Sequence, residues 1–430
     1  MTAANLVAGV IVIGITLYAW SGIADFGAGF WDLIAGNKAQ GLRARSLIDE
    51  VITPVWEANH VWLIYILVVT WTAFGGAFGS IMTALFVPLA LAALGIVLRG
   101  ANFALRKDAA RSGARQWSGW LFGIGAVMTP FFLGTAVGAI MSGRVPPNGV
   151  GNPVNAWVNA VSITTGLLTV AVGAFTSACY LVVECARRGV PELREYFRIR
   201  ALIAGVVALL CGVGVAIALR VQERSMFNRL TSRSIPLIVL GVVALIAAFV
   251  MARRGVARGL RVVAAVGVGA LVWAWAVAQY PYLLPFRLTI SDGAGSTTSM
   301  KWLLAWFVVA LVTVVPMLIV LYTLDQRGHL GEDPRTSRLE PAGAGQVPAG
   351  EVAAASGMAA ESGRKDQRVD EQADQRSDQQ RPTQQSEPQS GQQSEQQSGQ
   401  QSGQRTDRAG EKPTGPRHRA IRPPRRRKDT

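Results

Sequence analysis

Long apolar runs separated by short polar connections fill the first three quarters of the chain. They cover approximately residues 6–34, 54–74, 78–98, 117–141, 154–183, 199–217, 236–251, 262–280 and 302–324. A bilayer core of about 30 Å takes roughly 20 apolar residues per helix. The pattern therefore predicts an all-α, polytopic membrane bundle of about nine transmembrane helices. No run shows the strict alternation of a membrane β-barrel. The first run lacks a basic leader and a small-residue cleavage site, so it reads as a span rather than a signal peptide. The short connections predict antiparallel neighbours. Gly134 and Gly138 form a GxxxG pair, which lets two helices approach closely.

Near residue 328 the apolar period stops. Residues 384–404 read QQSEPQSGQQSEQQSGQQSGQ, a stretch that cannot bury enough surface to offset its chain entropy. We expect a membrane domain over 1–327 and a disordered Gln/Ser/Gly/Arg-rich cytoplasmic tail over 328–430.

Charge sharpens the division. The chain has 42 Lys+Arg against 27 Asp+Glu, a formal charge of +15. Residues 331–430 hold 17 basic and 15 acidic residues, which leaves 25 and 12 in the first 330. Soluble domains carry roughly 25% charged residues, so a single soluble domain is excluded. Nucleic-acid binding is not expected, because the basic residues lie between apolar runs rather than on one face. They cluster after the first, third, fifth and seventh runs: Lys38, Arg43 and Arg45; Arg99, Arg106, Lys107, Arg111 and Arg115; Arg187, Arg188, Arg194, Arg198 and Arg200; Arg253, Arg254, Arg258 and Arg261. The positive-inside rule puts these connections in the cytoplasm and the N-terminus outside. One connection disagrees: Arg220, Arg224, Arg229 and Arg233 follow the sixth run. A partner subunit or lipid phosphates facing them would account for it.

Ionisable residues inside a span are costly and mark function by default. Asp25, Gly29 and Asp32 fall at i, i+4 and i+7, on one helix face, and Gly27 and Gly29 thin the helix for a neighbour or ligand. Glu57 and His60 share a face at i, i+3, flanked by Trp56, Asn59 and Trp62. A carboxylate and an imidazole so placed suit proton relay near neutral pH; an aromatic belt with a polar helix end is the blander account. Tyr280, Pro281 and Pro285 interrupt the chain after the eighth run, as an interfacial turn would. Cys179, Cys185 and Cys211 lack zinc spacing, and we expect no metal site in this chain. His60 and His329 are the only histidines in or beside the membrane part, a poor basis for several buried haems.

The segments Asp25-Phe26-Gly27-Ala28-Gly29, Trp56-Glu57-Ala58-Asn59-His60-Val61-Trp62 and Tyr280-Pro281-Tyr282-Leu283-Leu284-Pro285, the last followed by Leu288-Thr289-Ile290, together resemble subunit II of cytochrome bd-type quinol oxidases, including the cyanide-insensitive branch. The likeness covers about residues 1–327 and leaves out the tail. It implies a complex in the bacterial cytoplasmic membrane that oxidises quinol, reduces dioxygen to water and builds a proton gradient without pumping. It implies a heterodimer in which the partner, subunit I, carries haem b and haem d, while this chain supports assembly and holds none. Small accessory membrane subunits and a structural quinone also occur in the family. The acidic residue of the second motif lies on a proposed cytoplasmic proton route; here it is Glu57, where many members have Asp. His60 stands where many have Gln. Asp25 matches the acidic position of the first motif. A proton-coupled secondary transporter is the alternative, although the two halves show no matching interrupted helices.

Overall fold

The computed structural model describes residues 2–36, 38–108 and 112–326; for 23–24, 52–58, 102–108, 112–118 and scattered positions after 313 it describes the backbone alone. The tail expected over 328–430 lies outside the described residues. Eleven helices follow one another: α1 (Ala3–Ile34), α2 (Ala39–Ala73), α3 (Gly75–Ala84), α4 (Phe86–Asp108), α5 (Ser112–Met141), α6 (Ala160–Arg187), α7 (Pro191–Gln222), α8 (Arg224–Arg233), α9 (Ile235–Arg253), α10 (Leu260–Gln279) and α11 (Thr297–Gln326). Between α10 and α11 lies an antiparallel hairpin of β1 (Tyr282–Leu284) and β2 (Leu288–Thr289).

Local chemistry sets several boundaries. The Thr2 hydroxyl accepts from the Asn5 N–H at 3.4 Å to open α1, and the Asn159 side chain accepts from the Ser162 N–H at 3.0 Å to open α6. Pro191 begins α7, where its missing N–H costs nothing.

The apolar runs lie mostly on helix, and the count of nine spans is not confirmed among the described residues. Among the described residues six helices are long and apolar enough to cross a membrane: α1, the 119–141 part of α5, α6, α7, α9 and α10. The run over 78–98 is not one straight span. It is broken at Leu85 into α3 and α4, whose axes differ by 85°, and the pair makes a seventh crossing only if taken together. Pro88 supplies the reason: it cannot donate to the Ala84 carbonyl and its ring crowds that group. In α2 and α11 the residues described in full include the apolar stretches Asn59–Ala73 and Thr297–Thr313.

The bundle is organised around α1, which meets α2, α5, α6, α10 and α11. Gly138 allows the expected close approach of α5 to α6: a Cβ there would stand 2.6 Å from the Ser162 Cα. The main apolar core joins α1, α2, α6, α7, α9 and α10 around Trp31, Phe175, Phe197 and Leu260. Polar contacts tie each face of the bundle together. On one face Arg198 of α7 donates to the Arg253 carbonyl at 2.9 Å, tying α7 to the end of α9. There Glu184 binds Arg188 at 3.0 Å and Arg261 at 2.7 Å, and Arg188 reaches Glu50 of α2 at 2.5 Å. On the opposite face Arg229 and Arg233 of α8 both donate to the Tyr280 carbonyl at 3.1 Å.

Candidate functional site

Asp25 sits about nine residues before the end of α1, or about 13 Å at 1.5 Å per residue. It is fully buried. Its partner is Arg99 of α4, which is also fully buried and forms an ion pair with the Asp25 carboxylate. The same guanidinium nitrogen donates to the Asp25 backbone carbonyl at 3.0 Å. The rest of the guanidinium lies over two aromatic rings, 4.4 Å from the centroid of Phe122 and 5.2 Å from that of Phe26. Its Nε and Nη1 have no hydrogen-bond partner among the described residues.

This corrects the placement of Arg99 in a basic connection. The helix that carries it runs on to Asp108, so Arg99 is inside the protein. Gly29 is what admits it. A Cβ at Gly29 would stand 2.6 Å from Arg99 Nη1 and 2.5 Å from the Ala126 Cβ. The thinned face read from Asp25, Gly29 and Asp32 is therefore real, and the group that approaches it is an arginine. Gly27 serves a different contact, since a Cβ there would collide with the Gly173 carbonyl of α6. Asp32, also buried, lies 3.5 Å from Arg45 Nε and acts electrostatically on Arg99.

The second motif meets the first at Asp25. Asn59 of α2 is buried, with its amide nitrogen 3.5 Å from the free Asp25 oxygen. Ser21 donates to the Asn59 carbonyl oxygen at 3.3 Å and fixes the amide. His60 is half-buried and acts electrostatically on Asp25. Glu57 and Trp56 lie on the α2 backbone, but their side chains are outside those described. Trp62 turns to Tyr65 edge-on, with ring centroids 6.2 Å apart.

The third motif belongs to another place. Tyr280 caps α10, is half exposed and lends its carbonyl to α8, while Pro281 leads into β1 and Pro285 is buried in the hairpin turn. Beside Asp25 lies an apolar cavity of about 210 Å³ between α1, α5, α6 and α10. Its wall includes Tyr18 and Trp275, whose hydroxyl and indole N–H have no partner among the described residues.

Sequence reasoning missed Arg99 and Glu184. Arg99 follows an apolar run directly, where a span and a connection look alike. Glu184 stands in an apolar run with Arg187 and Arg188 one turn on, an i, i+4 signal that was there to read.

Residues 3–325 match the family model for cytochrome bd terminal oxidase subunit II. The chain belongs to that family. Cytochrome bd-I ubiquinol oxidase subunit 2 of Escherichia coli K12 is 23% identical over 360 residues, covering 74% of this chain and 90% of that one. Cytochrome bd ubiquinol oxidase subunit 2 of Bacillus subtilis 168 is 28% identical over 235 residues, covering 54% of this chain and 66% of that one. A chain of the bd oxidase structure from Geobacillus thermodenitrificans superposes with a TM-score of 0.63 at 22% identity, covering 75% of this chain and 98% of that one, and so shares the fold. The chain is thus subunit II of a bd-type quinol oxidase, a multi-pass membrane protein of a bacterial respiratory complex, and subunit I is its implied partner. The haems of that family sit in subunit I. Membership leaves the transporter alternative without support, and these likenesses do not distinguish the cyanide-insensitive branch.

Proposed function

We propose that this chain braces the haem-bearing subunit I and conducts protons toward it from the cytoplasmic face, entering at Glu57 and passing His60 to reach Asp25. The N-terminus is then outside. The supporting observation is the convergence of two separate motifs on one buried carboxylate: Asp25 of α1 meets Asn59 and falls within the electrostatic reach of His60, both from α2. Dioxygen reduction consumes protons, and apolar protein conducts them only along titratable groups and water. Asp25 is the tightly held member. A proton arriving on it uncouples Arg99 inside the protein, a costly state, so Asp25 passes protons on rather than storing them. Asn59 orients the carboxylate, and Arg99 holds it in place as its ion-pair partner.

The apolar cavity beside Asp25 suits a structural quinone of the kind the family resemblance implies. Its apolar wall would take the isoprenoid part, and the Tyr18 hydroxyl and Trp275 N–H would face the carbonyl oxygens. The deciding experiment for the route is oxygen consumption by the purified complex carrying Glu57→Gln. Slow turnover with unchanged haem content supports the reading. Loss of haem along with activity assigns Glu57 to assembly, and unchanged turnover rejects the route.

A further inference from the structure

The arginines that violate the charge rule form a built surface. Helix α8 joins α7 to α9 on the face that holds the Tyr280 turn. Its Met226 is fully buried in a cluster with Val215, Leu219 and Ala278, while Arg220 and Arg224 are exposed; Arg233 is exposed too but donates to the Tyr280 carbonyl. Arg229 is held inward, 5.0 Å over the Tyr282 ring and bonded to the Tyr280 carbonyl. Glu223 lies between Arg220 and Arg224 in the chain, and Arg144 and Arg287 act on it electrostatically. Arg220 and Arg224 meet no carboxylate within ion-pair distance among the described residues, so the patch carries an uncompensated positive charge.

Its position selects the partner. Of the six span-length helices, α7 and α9 are the most apolar and the least buried within the chain. Their outer faces present Ile203, Leu210, Ile217, Val239, Val243 and Ile246 to the surroundings, as helices against acyl chains do. Val221 and Ile235 extend that apolar face to both ends of α8 and are exposed. A short helix with an apolar underside and exposed arginines, set where two such helices meet the membrane surface, lies at headgroup depth.

We propose that α8 and its flanking arginines bind anionic phospholipid headgroups, with Arg220 and Arg224 as the primary contacts. Arginine at a membrane surface gains about a factor of five per residue toward anionic lipid, so removing two should weaken retention about thirtyfold. The test places the complete two-subunit complex in nanodiscs of phosphatidylcholine with a minority of phosphatidylglycerol and reads retained lipid by native mass spectrometry. The wild type should retain phosphatidylglycerol in preference, Arg220→Gln/Arg224→Gln should lose the preference, and Arg220→Lys/Arg224→Lys should keep it. Equal retention by the wild type and the glutamine variant overturns the proposal. So does dissociation of subunit I from the glutamine variant, which would assign the patch to the partner subunit. An equal loss in Arg253→Gln/Arg254→Gln, on the opposite face, also overturns it by showing dependence on net charge alone.

Discussion

Neutralising Arg99 should damage the protein more than neutralising any exposed arginine, and neutralising Asp25 with it should repair much of the damage. Both side chains are fully buried and paired. Removing one partner from a buried pair leaves a charge with no compensation, at a cost of about 3–5 kcal/mol. Arg99→Gln also gives up two cation–π contacts, over Phe122 at 4.4 Å and Phe26 at 5.2 Å, each adding about 0.5–2 kcal/mol. Asp25→Asn leaves the guanidinium charge unpaired, with Nη2 kept only by the Asp25 backbone carbonyl at 3.0 Å and Nε and Nη1 already without partners among the described residues. The double replacement Asp25→Asn/Arg99→Gln removes both charges and keeps the approximate volumes. The assay is a double-mutant cycle on the purified two-subunit complex, with unfolding in mixed SDS micelles followed by tryptophan fluorescence. A coupling energy of about 2 kcal/mol or more is expected, because residues in one ionic network are not additive. Single variants that each cost under about 1 kcal/mol, and that add without coupling, would refute the buried pair.

Other consequences follow from particular contacts. Gly27→Val should separate α1 from α6, since even a Cβ collides with the Gly173 carbonyl; a loss of about 1–3 kcal/mol should appear in the same unfolding assay. Glu184→Gln should loosen the face where Arg188 and Arg261 converge on it, and faster proteolysis at the α6–α7 connection would report this. Glu223, in the connection before α8, has its carboxyl pKa raised by burial, partly opposed by Arg144 and Arg287. Its stabilising contribution is therefore complete below the ordinary carboxylate pKa and is lost as pH rises through the raised folded value. Glu223→Gln should accordingly flatten the fall in stability of the complex just above that range, measured by melting at stepped pH.

The half of the site carried by α1 was legible in the sequence, and the half supplied by α4 was not. Asp25, Gly29 and Asp32 share a face by helical period alone, and a carboxylate so deep in an apolar run demands an explanation. What meets that face is a tertiary fact. Arg99 stands 74 residues away, directly after Leu98, where the end of an apolar run and the start of a basic connection look alike. The bend at Leu85 was hidden for a similar reason: Pro88 sits inside a continuous apolar run, and apolarity says nothing of direction. The three motifs gave the family, yet only two of them meet in space. The turn at Tyr280 belongs with the α8 arginines, whose misfit to the charge rule was the visible sign of a separate surface.

The central claim is that protons consumed by the complex enter through this chain from its cytoplasmic side, by way of Glu57 toward Asp25. The most direct measurement is proton uptake after an oxygen pulse, with the reduced complex oriented in liposomes and a pH dye confined to the cytoplasmic side. The account predicts prompt uptake from that side in the wild type, and slower uptake in Glu57→Gln at equal haem content. Uptake at the wild-type rate in Glu57→Gln, or uptake from the opposite side, would contradict it.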